Sequence, residues 1–208
     1  MNIWQMYLML ILLVMSFVGI VKIYSHIFKE NIDVTSFEVA SVFLILFLIA
    51  KNIIMKCDVW INIVFLTFLC FYLITTSYID YKTKYVFTIF DRGAMGVGLL
   101  FLIMSNVDVM GKILNLCMFF FVILLYNRYE IHGEGDSDVL IVISIFISVF
   151  TDDIALIMML ILLMSTLLAI LFNLKNMDFK KMRFKESIAF TPFITIVTIV
   201  LLVSYINC

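Results

Sequence analysis

The stretch Asp153–Asn173, DIALIMMLILLMSTLLAILFN, decides the fold, because Asp153 is its one charged residue. A helix needs about 20 apolar residues to cross a hydrocarbon core of about 30 Å. The rest of the chain shares this character, since 65% of its 208 residues are hydrophobic and 14% are charged. Soluble domains are about 45–50% apolar. The sequence therefore predicts an all-α, polytopic membrane bundle.

Seven more apolar runs extend outward from this stretch. The eight predicted spans are 3–23, 36–55, 59–79, 87–107, 112–127, 136–151, 153–173 and 188–206. The loops between them are too short for a soluble domain. We therefore predict a single membrane domain over 1–208, with a two-helix N-terminal segment (1–58) followed by a six-helix core (59–208).

Basic residues orient the bundle, because Lys and Arg concentrate in cytoplasmic loops. With the N-terminus outside, three of the 14 Lys and Arg residues fall outside, namely Lys51, Lys56 and Lys112. The loop 174–187 is rich in basic residues and marks the cytoplasmic side in this topology. Its alternative role is to attract anionic membrane lipid. We therefore predict a multi-pass protein of the cytoplasmic membrane. With a net charge of −1 and no basic domain, nothing indicates a nucleic-acid partner.

Two acids interrupt the apolar pattern. Asp136 ends the sequence Gly133-Glu134-Gly135-Asp136 between two apolar runs, and Asp80 closes another run. Carboxylates at such positions are costly and are by default candidates for function. Two predicted spans separate Asp80 from Asp136, so both return to the cytoplasmic face. An ordinary helix N-cap is the alternative interpretation of Asp136 or Asp138.

Paired carboxyl groups have a defined chemistry. Two acids held close together do not both ionise easily, so the pair keeps one proton over a useful pH range. The ionised member then activates water while the protonated member polarises a carbonyl group. This pattern predicts hydrolysis of a peptide bond by Asp80 and Asp136.

Other catalytic chemistries lack a motif. The cysteines Cys57, Cys70, Cys117 and Cys208 form no zinc-binding pairs. Small buried thiols are the simplest interpretation of those in or beside apolar runs. The two histidines have no metalloprotease spacing, and no Gly-x-Ser-x-Gly sequence supports a serine nucleophile. We expect neither a metal nor a cofactor.

Three stretches together resemble the prepilin peptidases, the type IV leader peptidases among the Gly-x-Gly-Asp membrane aspartic proteases. Ile79–Val86, IDYKTKYV, is similar to that family's Asp-led basic segment. Gly133–Leu140, GEGDSDVL, resembles its Gly-x-Gly-Asp-x-Lys-Leu stretch. Phe190–Phe193, FTPF, looks like its Phe-Gly-Pro-Phe. Order, spacing and the eight-span count fit over most of the chain.

The resemblance implies an aspartic endopeptidase that cuts the basic leader of a prepilin or pilin-like precursor at the cytoplasmic face. It implies Asp80 and Asp136 as catalytic residues, with Gly133, Gly135 and Pro192 in support. The acidic side chains of Glu134 and Asp138 would attract the basic leader.

The chain also departs from the family pattern. Phe87 stands where the family usually has Pro, and Thr88 stands where Asn is common. Asp138 replaces a Lys. Residues 24–35 contain no cysteines, whereas members that also methylate the new N-terminus often carry a four-cysteine insert there. The chain thus resembles compact, peptidase-only members.

Two other functions remain open at this point. One is an ion-coupled carrier or channel component that uses membrane carboxylates as a proton relay. The other is a non-catalytic scaffold of a pilus or secretion machine with a decayed peptidase site. The altered Phe87 and Asp138 favour the scaffold, whereas intact Asp80 and Asp136 favour the peptidase.

Overall fold

The computed structural model describes residues 3–30, 32–57, 59–105, 108–128, 134–178, 183–184 and 188–205. Within these ranges the chain forms eight α-helices and one short antiparallel strand pair. The helices are α1 (Ile3–Phe28), α2 (Ser36–Lys56), α3 (Trp60–Thr83), α4 (Thr88–Met104), α5 (Val109–Arg128), α6 (Glu134–Ser148), α7 (Ile154–Phe172) and α8 (Thr191–Tyr205). The strands are β1 (Met177–Asp178) and β2 (Arg183–Phe184).

The predicted helical class is confirmed, and each predicted apolar run coincides with a helix. Among the described residues, four helices are long and apolar enough to cross a membrane, namely α1 from Trp4 onward, α2, α3 and α7. Residues 110–121 of α5 and residues 191–204 of α8 form shorter apolar helices. The protein is therefore membrane-embedded, while the count of eight spans stays a prediction.

Local sequence explains where two of the helices begin and end. Thr35 caps α2 through a capping box, in which its hydroxyl accepts from the Glu38 N–H and the Glu38 carboxylate accepts from the Thr35 N–H. Lys84 ends α3 in the left-handed conformation with a φ of 59°, and its N–H bonds the carbonyl oxygen of Asp80. Helix α3 thus runs past the predicted end at residue 79, so Asp80 lies inside its last turn.

Helices α4 and α6 run parallel and pack closely. A Cβ atom on Gly98 of α4 would lie 2.8 Å from the Phe146 ring and 2.9 Å from Ile145 Cγ2. About three helical turns earlier in both segments, Gly135 of α6 lies against Val86, which comes just before α4. These two contacts bring the first turns of α4 and α6 to the same end of the bundle. The last turn of α3 and the first turns of α4, α6 and α8 meet there, and we call this the acidic end.

Polar contacts also tie α1 and α2 to the acidic end. The Tyr24 hydroxyl at the end of α1 donates to Thr83 Oγ1 at 3.2 Å. Lys82 of α3 pairs with Glu38 of α2 at 2.9 Å. The aromatic ring of Phe87 is buried and packs edge-on against Tyr24 at 5.4 Å. This ring therefore fills an aromatic cluster at the position where the resemblance expects proline.

The opposite end of the bundle has its own polar contacts. Lys56, at the end of α2, donates to the carbonyl oxygen of Val203 near the end of α8. Lys112 of α5 is buried, pairs with Asp152 at 2.5 Å and donates to the Thr151 carbonyl oxygen at 2.9 Å. Both lysines thus fix helix ends that lie away from the acidic end.

The cysteines differ from the expectation of buried thiols. Cys70 is free and buried, and Cys117 is free but exposed. Cys57, next to Lys56, is disulfide-bonded, so the expectation is wrong there. The remaining cysteine in the sequence, Cys208, lies outside the described residues.

Candidate carboxyl site

Asp80 lies in the last turn of α3 and is 4% exposed. The backbone N–H of Thr191 donates a hydrogen bond to Asp80 Oδ2 at 3.0 Å. The backbone N–H of Phe190 also bonds this carboxyl group. Both donors belong to the start of α8, where N–H groups have no partner within the helix. The start of α8 therefore forms a binding site for the Asp80 carboxylate.

Asp136 lies in the first turn of α6 and is partly exposed. The hydroxyl of Thr191 donates to Asp136 Oδ1 at 3.0 Å. One residue, Thr191, thus binds both predicted acids: its main-chain N–H bonds Asp80, and its hydroxyl bonds Asp136 and also interacts with Asp80. The two acids predicted to meet are brought together at this threonine.

The start of α6 corrects one interpretation of the sequence. The helix begins at Glu134, two residues before the predicted start. Asp136 and Asp138 are therefore inside the helix, and the N-cap interpretation is wrong for both. A carboxylate in a first turn still benefits from the positive end of the helix dipole.

Gly135 allows a close approach of another segment, because it has no side chain. A Cβ atom at this position would lie 2.6 Å from Val86 Cβ and 2.8 Å from Val86 Cγ2. The contact joins two of the stretches that carry the family resemblance, because Val86 ends the first and Gly135 belongs to the second. Gly133 lies outside the described residues, as does the side chain of Glu134.

Pro192 is the second residue of α8, one position after the opening residue, where proline is most common in helices. It still lies in the first turn, where the missing N–H costs no intrahelical hydrogen bond. Thr191 is then the first residue of the helix. Its N–H is available to the Asp80 carboxylate.

Thr191 is the residue that sequence reasoning missed. Its position in Phe190–Phe193 corresponds to the glycine of the motif that this stretch resembles, so the only available signal was a departure from that motif. Thr191 is fully buried, so its hydroxyl is fixed by packing as well as by Asp136.

A second polar contact locks α3 against α8 one turn below the two acids. Ser77 and Thr195 share a hydrogen bond between their hydroxyl groups at 2.5 Å. Thr195 also donates to the carbonyl oxygen of Leu73 at 3.2 Å. Ser77 and Thr195 are buried. This contact fixes the position of Thr191 along the axis of α8 relative to Asp80 on α3.

Asp138 was predicted to contact a basic leader. It is partly exposed and lies in the second turn of α6. Its carboxylate interacts electrostatically with Asp91 of α4 and with Tyr72 of α3. It therefore has neighbours within the protein besides the Asp80–Asp136 pair. In the described part of the chain, no group of three or more His, Cys, Asp or Glu side chains is arranged to hold a metal ion.

Comparison with known proteins adds no relative. No protein family, curated protein or solved structure matches this chain.

Proposed function

We propose that this protein is a membrane aspartic endopeptidase in which Asp80 and Asp136 activate the attacking water. The observation that carries the proposal is the bridge through Thr191, with hydrogen bonds of 3.0 Å to one oxygen of each acid. A bridge of this kind fixes both carboxyl groups, as a shared acid–base reaction requires.

The reaction uses one shared proton. The ionised carboxylate takes a proton from water as the water oxygen bonds to the scissile carbonyl carbon. The protonated acid gives its proton to the carbonyl oxygen, which produces a neutral tetrahedral diol. The first acid then returns a proton to the amide nitrogen, the carbon–nitrogen bond breaks, and the diol hydroxyl returns a proton to the second acid. The pair ends in its starting state.

The substrate class follows from the resemblance of three sequence stretches to the prepilin peptidases. The substrate would be a prepilin or pilin-like precursor with a short basic leader ahead of an apolar helix. Such a helix stays in the lipid while the leader reaches the acidic end. The acidic side chains of Glu134 and Asp138 suit a basic leader.

The disulfide at Cys57 supports the orientation. Disulfides persist in oxidising compartments and are rare in the cytosol. Cys57 ends α2, at the end of the bundle opposite Asp80 and Asp136. The acidic end would then face the cytoplasm of a cell whose cytoplasmic membrane holds the protein. The charge distribution of the loops gives the same orientation.

The test is cleavage of a synthetic precursor by the purified protein in liposomes. The precursor has a basic leader, a glycine, an apolar helix and a C-terminal tag, and mass spectrometry of the tagged product reports the cut. Asp80→Asn and Asp136→Asn, made singly, should each abolish cleavage. Asp153→Asn is the matched control, since Asp153 is an exposed acid at the opposite end of the bundle. Normal cleavage by either site variant would exclude the two-aspartate mechanism.

One observation favours a second candidate, an ion-coupled carrier or channel component. Asp91 is fully buried in the first turn of α4. Carboxyl groups inside membrane proteins often mark ion or proton pathways. A carrier would leave the precursor intact and would instead move ions across the same liposomes.

A further inference from the structure

Asp91 is a buried carboxyl group that the proposed peptidase mechanism does not use. It lies in the first turn of α4, and none of its surface is exposed. The Tyr72 hydroxyl donates to Asp91 Oδ1 at 2.7 Å. Among the described residues, the other oxygen, Oδ2, has no hydrogen-bond partner. A buried polar atom of this kind is costly unless something binds it, so Oδ2 points to a ligand.

Asp138 faces Asp91 across the interface between α4 and α6. These helices run parallel, and Gly98 of α4 meets Ile145 of α6. Asp91 precedes Gly98 by seven residues, and Asp138 precedes Ile145 by the same number. Seven residues are about two helical turns, so both acids lie on the facing sides at the same level. Their electrostatic interaction, and that of Asp138 with Tyr72, agrees with this register.

No basic side chain in the described part of the chain neutralises Asp91. Asp91 accepts a hydrogen bond from the Tyr72 hydroxyl and interacts electrostatically with the carboxylate of Asp138. The ion pairs Lys82–Glu38 and Lys112–Asp152 do not include Asp91. Arg92, the next residue, is exposed. A buried carboxyl group next to a second one needs either a proton or a cation.

We propose that Asp91, Asp138 and Tyr72 form a binding site for one Na⁺ ion. The oxygen ligands suit a hard cation, and the positive end of the α4 dipole adds to the stabilisation of a negative charge on Asp91. A proton shared between Asp91 and Asp138 is the competing occupant, and the experiment below separates it from Na⁺. A divalent metal ion would suit this place less well, because the described residues offer no third acid there. The site is separate from Asp80 and Asp136 and does not depend on the peptidase function.

The experiment measures the thermal unfolding midpoint of the purified protein in detergent. Sodium chloride is exchanged for choline chloride at constant pH and ionic strength. For one site filled at about five times its Kd, Na⁺ should raise the midpoint by about 2–4 °C in a chain of this length. The rise should saturate with concentration. Asp91→Asn and Asp138→Asn should each remove it, whereas Asp153→Asn should keep it.

Three results would overturn the proposal. The first is an equal midpoint of the wild-type chain in sodium and choline, which needs no variant. The second is a full sodium response in Asp138→Asn, a partly exposed position that should fold even if Asp91→Asn does not. The third is a midpoint that rises when the choline solution is acidified but does not respond to sodium, which would show that the pair holds a proton instead.

Discussion

Removing the Thr191 hydroxyl tests whether its hydrogen bonds to the two acids contribute to catalysis. Thr191→Val keeps the shape of a fully buried side chain and deletes the donor that lies 3.0 Å from Asp136 Oδ1. The main-chain N–H that binds Asp80 stays in place. The substitution therefore removes the side-chain interactions of Thr191 with both acids, and leaves Asp80 held by main-chain N–H groups.

The size of the effect follows from the lost hydrogen bond. A hydrogen bond to a charged group contributes about 1.5–3 kcal/mol, which corresponds to about 10- to 150-fold in rate. Asp136 is partly exposed, so water replaces part of the lost contact. We therefore expect a loss in kcat of about tenfold, at the low end of that range. KM should change little, because Thr191 contacts the acids and not the precursor.

The assay is cleavage of the synthetic precursor in liposomes, with two companion variants. Thr191→Ser restores a hydroxyl and should recover most of the rate. Thr198→Val is the matched control, because Thr198 is also a fully buried threonine of α8 and its hydroxyl has no described hydrogen-bond partner. Wild-type kcat in Thr191→Val would refute the role of the hydroxyl. An equal loss in Thr191→Ser would assign the effect to packing instead.

Three further predictions concern the packing around the site and the orientation of the chain in the membrane. Gly135→Ala should destabilise the protein by about 1–3 kcal/mol through overpacking against Val86, whereas Gly96→Ala, with nothing within 4 Å, should be neutral or stabilising in thermal unfolding. Phe87→Ala should lower the unfolding free energy by about 3 kcal/mol, because it empties a buried aromatic site; a loss below about 1 kcal/mol would contradict the packing seen here. In intact cells, an external impermeant reductant followed by an impermeant maleimide should give more labelling of the wild-type chain than of Cys57→Ser, and equal labelling would contradict an outward-facing Cys57.

The helices were predictable from sequence because each apolar run is long enough to define one. The meeting of Asp80 with Asp136 was also predictable, since an even number of helices separates them and returns the chain to the same end. Helix ends were harder to place. Lys84 ends α3 in a conformation that glycine usually adopts, so no sequence signal marked the turn. Asp80 consequently lies within a helix that was expected to stop before it.

Thr191 and Asp91 could not have been singled out from the sequence. A threonine at a helix start is usually read as a cap, and only the position of α8 against α3 shows that its N–H binds Asp80. Asp91 stands beside Arg92 in the sequence, a pair that suggests an exposed helix end. The tight packing of α4 on α6 buries Asp91 instead. Both roles depend on helix register, which apolar periodicity does not specify.

Helix polarity explains why four acids gather at one end of a membrane protein. Asp91, Asp136 and Asp138 lie within the first two turns of α4 or α6, where the positive end of the helix dipole stabilises a carboxylate. Asp80 is the exception, because it lies in the last turn of α3, where the dipole opposes a negative charge. It is also the acid that receives main-chain N–H groups from the start of α8. The position of α8 therefore decides whether Asp80 is held as a carboxylate, and a shift of α8 would disturb both acids at once, because Thr191 binds each of them.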